Sequence, residues 1–202
     1  MEIIIATHNN HKLIEFKNRL TKVYKDAILL SLNDVNYSTE IDEIGYTFEQ
    51  NSLIKAQTIS LNFPNHIIIA DDSGLEVEAL NGAPGVYSSR YAEHEKEYNV
   101  DKDKANNNKL LKVMHNKYNK KAQFVTVLCV IIPGQLPIFI KGVVPGELLD
   151  YPRGENGFGY DPIFTNDGIK TFAELSMEEK EAISHRNNAI DVMIKKNILG
   201  VK

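Results

Sequence analysis

Two adjacent carboxylates, Asp71 and Asp72, close a short apolar run, Ile67-Ile68-Ile69-Ala70, and are followed by Ser73 and Gly74. A run of that length bounded by polar residues reads as a buried strand. Two like charges at its end are costly unless a cation, donors or water compensate them. Such carboxylates suit Mg²⁺, which binds one or two acidic side chains together with substrate phosphates. A second acidic patch, Glu40, Asp42 and Glu43, lies just before Gly45. It reads either as further metal ligands or as a solvated loop. Lys12, Lys180 and Arg186 could face a polyphosphate, with Arg186 and the preceding His185 forming an anion clamp or a helix-terminal charge pair. Phe158 and Tyr160 stand among Gly154, Gly157, Gly159 and Gly168. Glycines beside aromatics suit close approach to a flat ligand, or a loop packed on its own rings. Taken together, these groups fit phosphoryl-type transfer to water: a cation neutralises phosphate oxygens and a carboxylate positions or deprotonates the nucleophile.

The elements that must position these groups follow from hydrophobic periodicity. Ile3-Ile4-Ile5-Ala6 predicts a buried strand, and Leu13, Phe16, Leu20 and Val23 predict a helix after it. The intervening turn, Thr7-His8-Asn9-Asn10-His11-Lys12, offers backbone N–H groups at a helix N-terminus, which attract phosphate. A plain capping turn with a solvated lysine gives the same pattern, and the glycines of a Walker loop are absent. Ile28–Leu32 predicts a strand; Thr47 caps a helix from Phe48 to about Leu61, ended by Pro64. Leu75, Val77 and Ala79 alternate with Glu76 and Glu78, which predicts a second strand after the acidic pair. Residues 101–118 predict a helix whose Lys and Asn content reads as a solvated face. Gln123–Ile132 and Pro137–Val144 flank Pro133-Gly134 and predict an antiparallel hairpin, continued through Gly146–Leu149. The sheet is therefore expected to be mixed. Ser176 and Glu179 form a capping box, and a last helix carries Ala189, Val192, Met193 and Ile194.

Composition bounds the rest. The 202 residues are 43% hydrophobic and 25% charged, as in ordinary soluble domains. A net charge of −4 gives no positive field for nucleic acid or an anionic membrane, so neither is expected as a partner. Cys129 is alone within an apolar run, which excludes an intramolecular disulfide. With no span-length apolar stretch and no signal-like N-terminus, a cytoplasmic protein is expected.

The blocks THNNHK, GYTFEQNS, ADDSGLEVEALNGAPGVYSSRYA, GFGYDPIF and SHR occur in an order that resembles the inosine/xanthosine triphosphate pyrophosphatases, the Ham1-like family. The match runs from Thr7 to Arg186, and its third and fourth blocks are long and specific. The resemblance implies an α/β fold: a long mixed central sheet flanked by helices, in two lobes with a substrate cleft, the whole 1–202 chain forming one domain. It implies a Mg²⁺-dependent homodimer that hydrolyses ITP, dITP and XTP to the monophosphate and pyrophosphate, clearing deaminated purines from the nucleotide pool. It places Thr7, His8, Asn9, Asn10, His11 and Lys12 at the triphosphate. Asp72 becomes the catalytic carboxylate and a metal ligand, with Ser73 touching substrate. Glu43 falls where a second metal ligand is expected, with Asp42 competing for the role. Phe158, Gly159, Tyr160 and Asp161 match a base-recognition loop, and Lys180, His185 and Arg186 match further nucleotide contacts.

Two positions depart from the pattern: His8 and Asn156 stand where glycine is common. A Maf-like pyrophosphatase of other modified nucleotides is a rival that GFGYDPIF and SHR disfavour. A non-catalytic nucleotide binder on the same scaffold is disfavoured by the intact acidic pair.

Overall fold

In the computed structural model, residues 1–200 are described. Six strands run in chain order: β1 (Glu2–Ile5), β2 (Ile28–Ser31), β3 (Ile67–Val77), β4 (Lys121–Ile131), β5 (Ile138–Leu148) and β6 (Phe164–Thr165). The helices are α1 (Asn10–Val23), α2 (Phe48–Asn62), α3 (Lys102–Met114), α4 (Met177–Ile183) and α5 (His185–Lys195). The strands form one sheet in the order β2-β1-β3-β4-β5-β6. β1 pairs in parallel with β2 and β3, whereas β5 and β6 are antiparallel, so the sheet is mixed as the sequence predicts. The loop joining β4 to β5 is too short for the crossover that a parallel pair requires.

The acidic pair does not end its strand. β3 continues through Asp71 and Asp72 to Val77, which corrects the expectation of two separate strands. Two adjacent acids interrupt the apolar pattern but need not interrupt the ladder, because their side chains leave the sheet on opposite faces. The chain turns only after Val77, where Asn81 is left-handed at φ 53° and donates to the Glu78 carbonyl.

The chain divides into two compact units. The first comprises Met1–Asp72, Thr126–Gly142 and the segment beginning at His185. Its strands bury alternate residues on two faces. Ile3, Ile5, Ile67 and Ile69 pack with Phe16 and Leu20 of α1 and Ala189 and Met193 of α5. Ile4, Ala6, Ile68 and Ala70 pack with Ala56 and Ile59 of α2. Each such isoleucine contributes roughly 1.5–3 kcal/mol on burial. α5 lies unusually close to β5: a Cβ at Gly142 would stand 2.1 Å from the His185 carbonyl oxygen and 2.6 Å from the Ala189 nitrogen. Glycine there lets the start of α5 seat against the sheet.

The second unit comprises Ser73–Val125 and Val143–Ser184. Leu75, Val77, Phe124, Val144, Tyr160, Ile163 and Phe164 pack with Leu110 and Met114 of α3. Phe164 meets Phe124 at 4.5 Å and Phe172 edge-on at 5.0 Å between ring centroids, arrangements that aromatic quadrupoles favour. Helix starts follow the sequence closely. Asn9 caps α1, Thr47 caps α2, and the Ser176/Glu179 capping box opens α4.

Candidate active site

Alternation along β3 sends Asp71 toward α1 and α5 and Asp72 toward α2. Asp71 is 1% exposed, and its Oδ2 lies 2.9 Å from Lys12 Nζ. The same oxygen accepts from Arg186 Nε at 3.1 Å, and Arg186 Nη1 donates to Glu15 Oε2 at 2.8 Å. Burial alone would raise the Asp71 pKa, but Lys12 and Arg186, with Lys55 adding, hold it well below the usual carboxylate range. Burial lowers the Lys12 pKa, and Lys55 and Arg186 lower it further against the pull of Asp71. Lys12 keeps 15% of its side chain exposed, against 0% for Arg186. Arg186 is 0% exposed, with its charge turned inward to Asp71 and Glu15.

On the other face Asp72, 4% exposed, accepts from Asn51 Nδ2 at 2.9 Å on Oδ2. Its Oδ1 lies 4.0 Å from Lys55 Nζ, which donates to Glu43 Oε1 at 2.5 Å. Burial raises the Asp72 pKa, Lys55 opposes, and Glu43 raises it again, with a net upward shift. Asn51 is itself set by Gly45, whose N–H donates to Asn51 Oδ1 at 2.7 Å. A Cβ on Gly45 would stand 2.7 Å from that oxygen, which is why a glycine follows the acidic patch. Of the patch, Glu43 is the member that meets Lys55, whereas Asp42 is exposed. Asn51 and Lys55 are site residues that the sequence analysis does not single out. Both sit on the buried side of α2 with Phe48, Ser52, Ala56 and Ile59, and two polar residues one turn apart on an apolar stripe were the available signal.

The turn before α1 is a capped helix start. Asn9 Oδ1 accepts from the His11 and Lys12 N–H groups, and Asn9 N–H donates to Thr7 Oγ1. His8, Asn9, Asn10 and His11 are exposed, and the His8 ring lies 3.3 Å from the Thr39 carbonyl. Ser73 follows Asp72 half-buried in β3, and His185 opens α5 as a buried residue.

In the second unit, the 157–161 loop is built around Asp161. Asp161 Oδ2 accepts from the Phe158 N–H at 2.8 Å and from Lys180 Nζ at 2.5 Å. A Cβ on Gly157 would meet that oxygen at 2.0 Å, and Gly157 also has φ +78°, so the loop needs glycine there twice over. Lys180 Nζ sits 4.6 Å from the Phe158 ring centroid. Tyr160 is 3% exposed, and its hydroxyl donates to the Ser88 carbonyl at 2.9 Å. The expectation that Tyr160 offers a stacking face is therefore corrected: its ring is core, and Phe158 carries the half-exposed ring. Burial, then Tyr91 and Asp103, raise the Tyr160 pKa and keep it neutral. Asn156 ties the loop down, donating through its N–H to Ala173 and through Nδ2 to Leu175.

The polar face of α3 is another correction. Asn106 and Asn107 are buried rather than solvated. Asn106 Oδ1 accepts from the Ala92 N–H, and Lys109 Nζ donates to the Tyr91 carbonyl. Asp103 and Asn107 reach Gly159. Consecutive asparagines carry no periodicity that separates an anchoring face from a wet one, so the sequence hid this.

Among the described residues no group of three or more His, Cys, Asp or Glu gathers as a metal cage. Nor is any described helix long and apolar enough to cross a membrane.

Comparison with known proteins bears on the whole chain. A dITP/XTP pyrophosphatase of Bacillus licheniformis is 48% identical over 94% of this chain and 94% of its own. One from Staphylococcus aureus is 42% identical over 95% and 94%. The solved structure of the Staphylococcus aureus Ham1 protein superposes with a TM-score of 0.85 at 41% identity, covering 100% of both chains. A HAM1 protein from Coxiella burnetii gives a TM-score of 0.86 at 34% identity, again covering 100% of both. With residues 3–196 also matching the Ham1 family as a whole, this chain belongs to that family.

Proposed function

We propose that this chain is a Mg²⁺-dependent pyrophosphatase that hydrolyses ITP, dITP and XTP to the monophosphate and pyrophosphate, removing deaminated purines from the nucleotide pool. The observation that carries the proposal is Asp72: a buried carboxylate of raised pKa, oriented by Asn51 and flanked by Lys55 and Glu43. A raised pKa in a polar, cation-lined setting suits a proton acceptor. The dITP/XTP pyrophosphatase names of relatives that align along nearly the whole chain support the substrate class.

Glu43 and Asp72 fit a magnesium site. Both are hard oxygen donors, and the single ammonium of Lys55 beside them leaves one of their two negative charges for a bound cation to balance. A two-carboxylate set also suits a cation that keeps waters and takes its other ligands from phosphate. When bound there, Mg²⁺ would neutralise phosphate oxygens as a Lewis acid.

The chain's own residues do the rest. Lys12 and the exposed 8–11 turn take the triphosphate. Asp72 accepts a proton from water as the water oxygen bonds to the α-phosphorus. The bond from that phosphorus to the bridging oxygen breaks, and pyrophosphate leaves. Arg186 acts through Asp71, fixing the carboxylate that holds Lys12. In the second unit Phe158 stacks on the base and Lys180 adds charge beside it. The Phe158 and Gly159 N–H groups are engaged by Asp161 and Asp103 and are not spare donors for the base. The whole chain acts as one catalytic domain, and homodimerisation in the cytoplasm belongs to the same reading.

Incubation with ITP, dITP, XTP, GTP and dTTP plus Mg²⁺ tests the proposal. Pyrophosphate from the inosine and xanthosine nucleotides is expected. Release of orthophosphate, or a preference for dTTP, overturns it. Sedimentation velocity tests the dimer.

A further inference from the structure

We propose that Asp103 and Asn107 of α3 are specificity-positioning residues, a two-point clamp on the Gly159 peptide that sets Phe158 for stacking on the purine. The inference rests on the nucleotide reading given above. Gly159 has φ +63°, a left-handed bend with nothing within 4 Å of where a Cβ would be. Two hydrogen bonds from α3 tie that bend down. Asp103 Oδ2 accepts from the Gly159 N–H at 2.7 Å, and Asn107 Nδ2 donates to the Gly159 carbonyl at 2.8 Å. The two side chains are four residues apart, hence on one face of the helix one turn from each other. Donor and acceptor of the same residue are thereby fixed to a rigid element, and the Asp103 bond is charge-assisted.

Asn107 is chosen for its donors. It is 6% exposed, and its Nδ2 also donates to the Asp103 carbonyl at 2.9 Å, which commits both amide hydrogens. Its Oδ1 is buried with no hydrogen-bond partner. A flipped amide would set that oxygen against two carbonyls, so the orientation is determined by the network. An unmatched buried acceptor is normally eliminated; here it accompanies a pair of donors that no apolar residue could supply. The neighbours on either side of Gly159 are held as well: Phe158 N–H on Asp161 and the Tyr160 hydroxyl on Ser88. With both flanks fixed, the Gly159 peptide sets the remaining freedom of the Phe158 ring.

The test compares Asn107→Leu, Asp103→Ala and Asp103→Asn with the wild type, using ITP turnover and inhibition by inorganic tripolyphosphate, which has no base. Asn107→Leu and Asp103→Ala should raise KM for ITP about tenfold, the effect of losing one hydrogen bond to Gly159, and change kcat less than about threefold. The inhibition constant of tripolyphosphate should stay unchanged, and Asp103→Asn, which keeps an accepting oxygen, should restore near-wild-type KM. An unchanged ITP KM in folded variants, a parallel rise in the tripolyphosphate constant, or Asp103→Asn behaving like Asp103→Ala overturns the clamp. Should Asn107→Leu not fold, the Asp103 pair decides, since that side chain is only half-buried. A wild type that releases no pyrophosphate from ITP refutes the nucleotide reading itself, at the control, and the clamp with it.

Discussion

Asp71 and Asp72 are adjacent in β3 yet belong to different electrostatic environments, one held by Lys12 and Arg186, the other by Asn51 and Lys55. Their pKa values move in opposite directions from the ordinary 3.8, downward for Asp71 and upward for Asp72. Asp71 therefore contributes stability that is complete above pH 3.8 and is lost as pH falls through its folded pKa. Asp72 contributes stability present below 3.8 that is lost as pH rises through its folded pKa, leaving a cost at neutral pH. In EDTA-containing buffer, Asp71→Asn should lower stability at pH 7 by about 3 kcal/mol, the gap closing toward acid. Asp72→Asn should melt about 3 °C above the wild type at pH 7. Denaturation at pH 3, 5 and 7 separates the two; shifts of the same sign would contradict the assignment.

For turnover the ranking reverses. Asp72→Asn should lose at least about a hundredfold in kcat while ITP binding by calorimetry persists, as loss of a proton acceptor requires. Full activity in that variant would remove Asp72 from its proposed role.

Glu43 and Asp42 are separated by Mg²⁺ titration of activity. Glu43→Gln should raise the Mg²⁺ concentration for half-maximal rate by about tenfold, and Asp42→Asn should leave it near wild type. The reverse order would make Asp42 the ligand.

Arg186 is fully buried between two carboxylates. Arg186→Met takes one charge partner from Glu15 and one from Asp71, which keeps Lys12, and should cost about 3 kcal/mol by urea denaturation. A loss below about 1 kcal/mol would show that the cluster relaxes without it.

Cys129 lies in β4 with 0% exposure, and burial pushes its thiol pKa up to about 12. A disulfide reagent at pH 8 should react only at the rate of unfolding, and stoichiometrically in denaturant. Rapid reaction of the native protein would show that β4 opens locally.

Much of this was legible in the chain. Runs such as Ile3–Ala6 and Ile67–Ala70 are uniform and β-branched, and caps such as Thr47 and Ser176 announce themselves by local hydrogen bonding. Asp71-Asp72 misled on extent, because a polar interruption looks like a strand end when compensating groups come from residues as remote as Arg186. By residue type Arg186 and Tyr160 suit ligand contacts, but burial, which only the three-dimensional packing determines, turns their charge and ring inward. The Asn106-Asn107 pair failed for a related reason. Amide side chains serve water and backbone equally well, so composition does not distinguish them.

Strands β3, β4 and β5 each leave one compact unit and finish in the other, and the chain changes unit after Asp72, Val125, Gly142 and Ser184. Neither unit is thus an unbroken stretch of sequence, and no single cut or gene fusion could lift one out as a cassette. Such threading ties the fate of Lys12 and Asp72 to that of Phe158 and Lys180 in one inheritance.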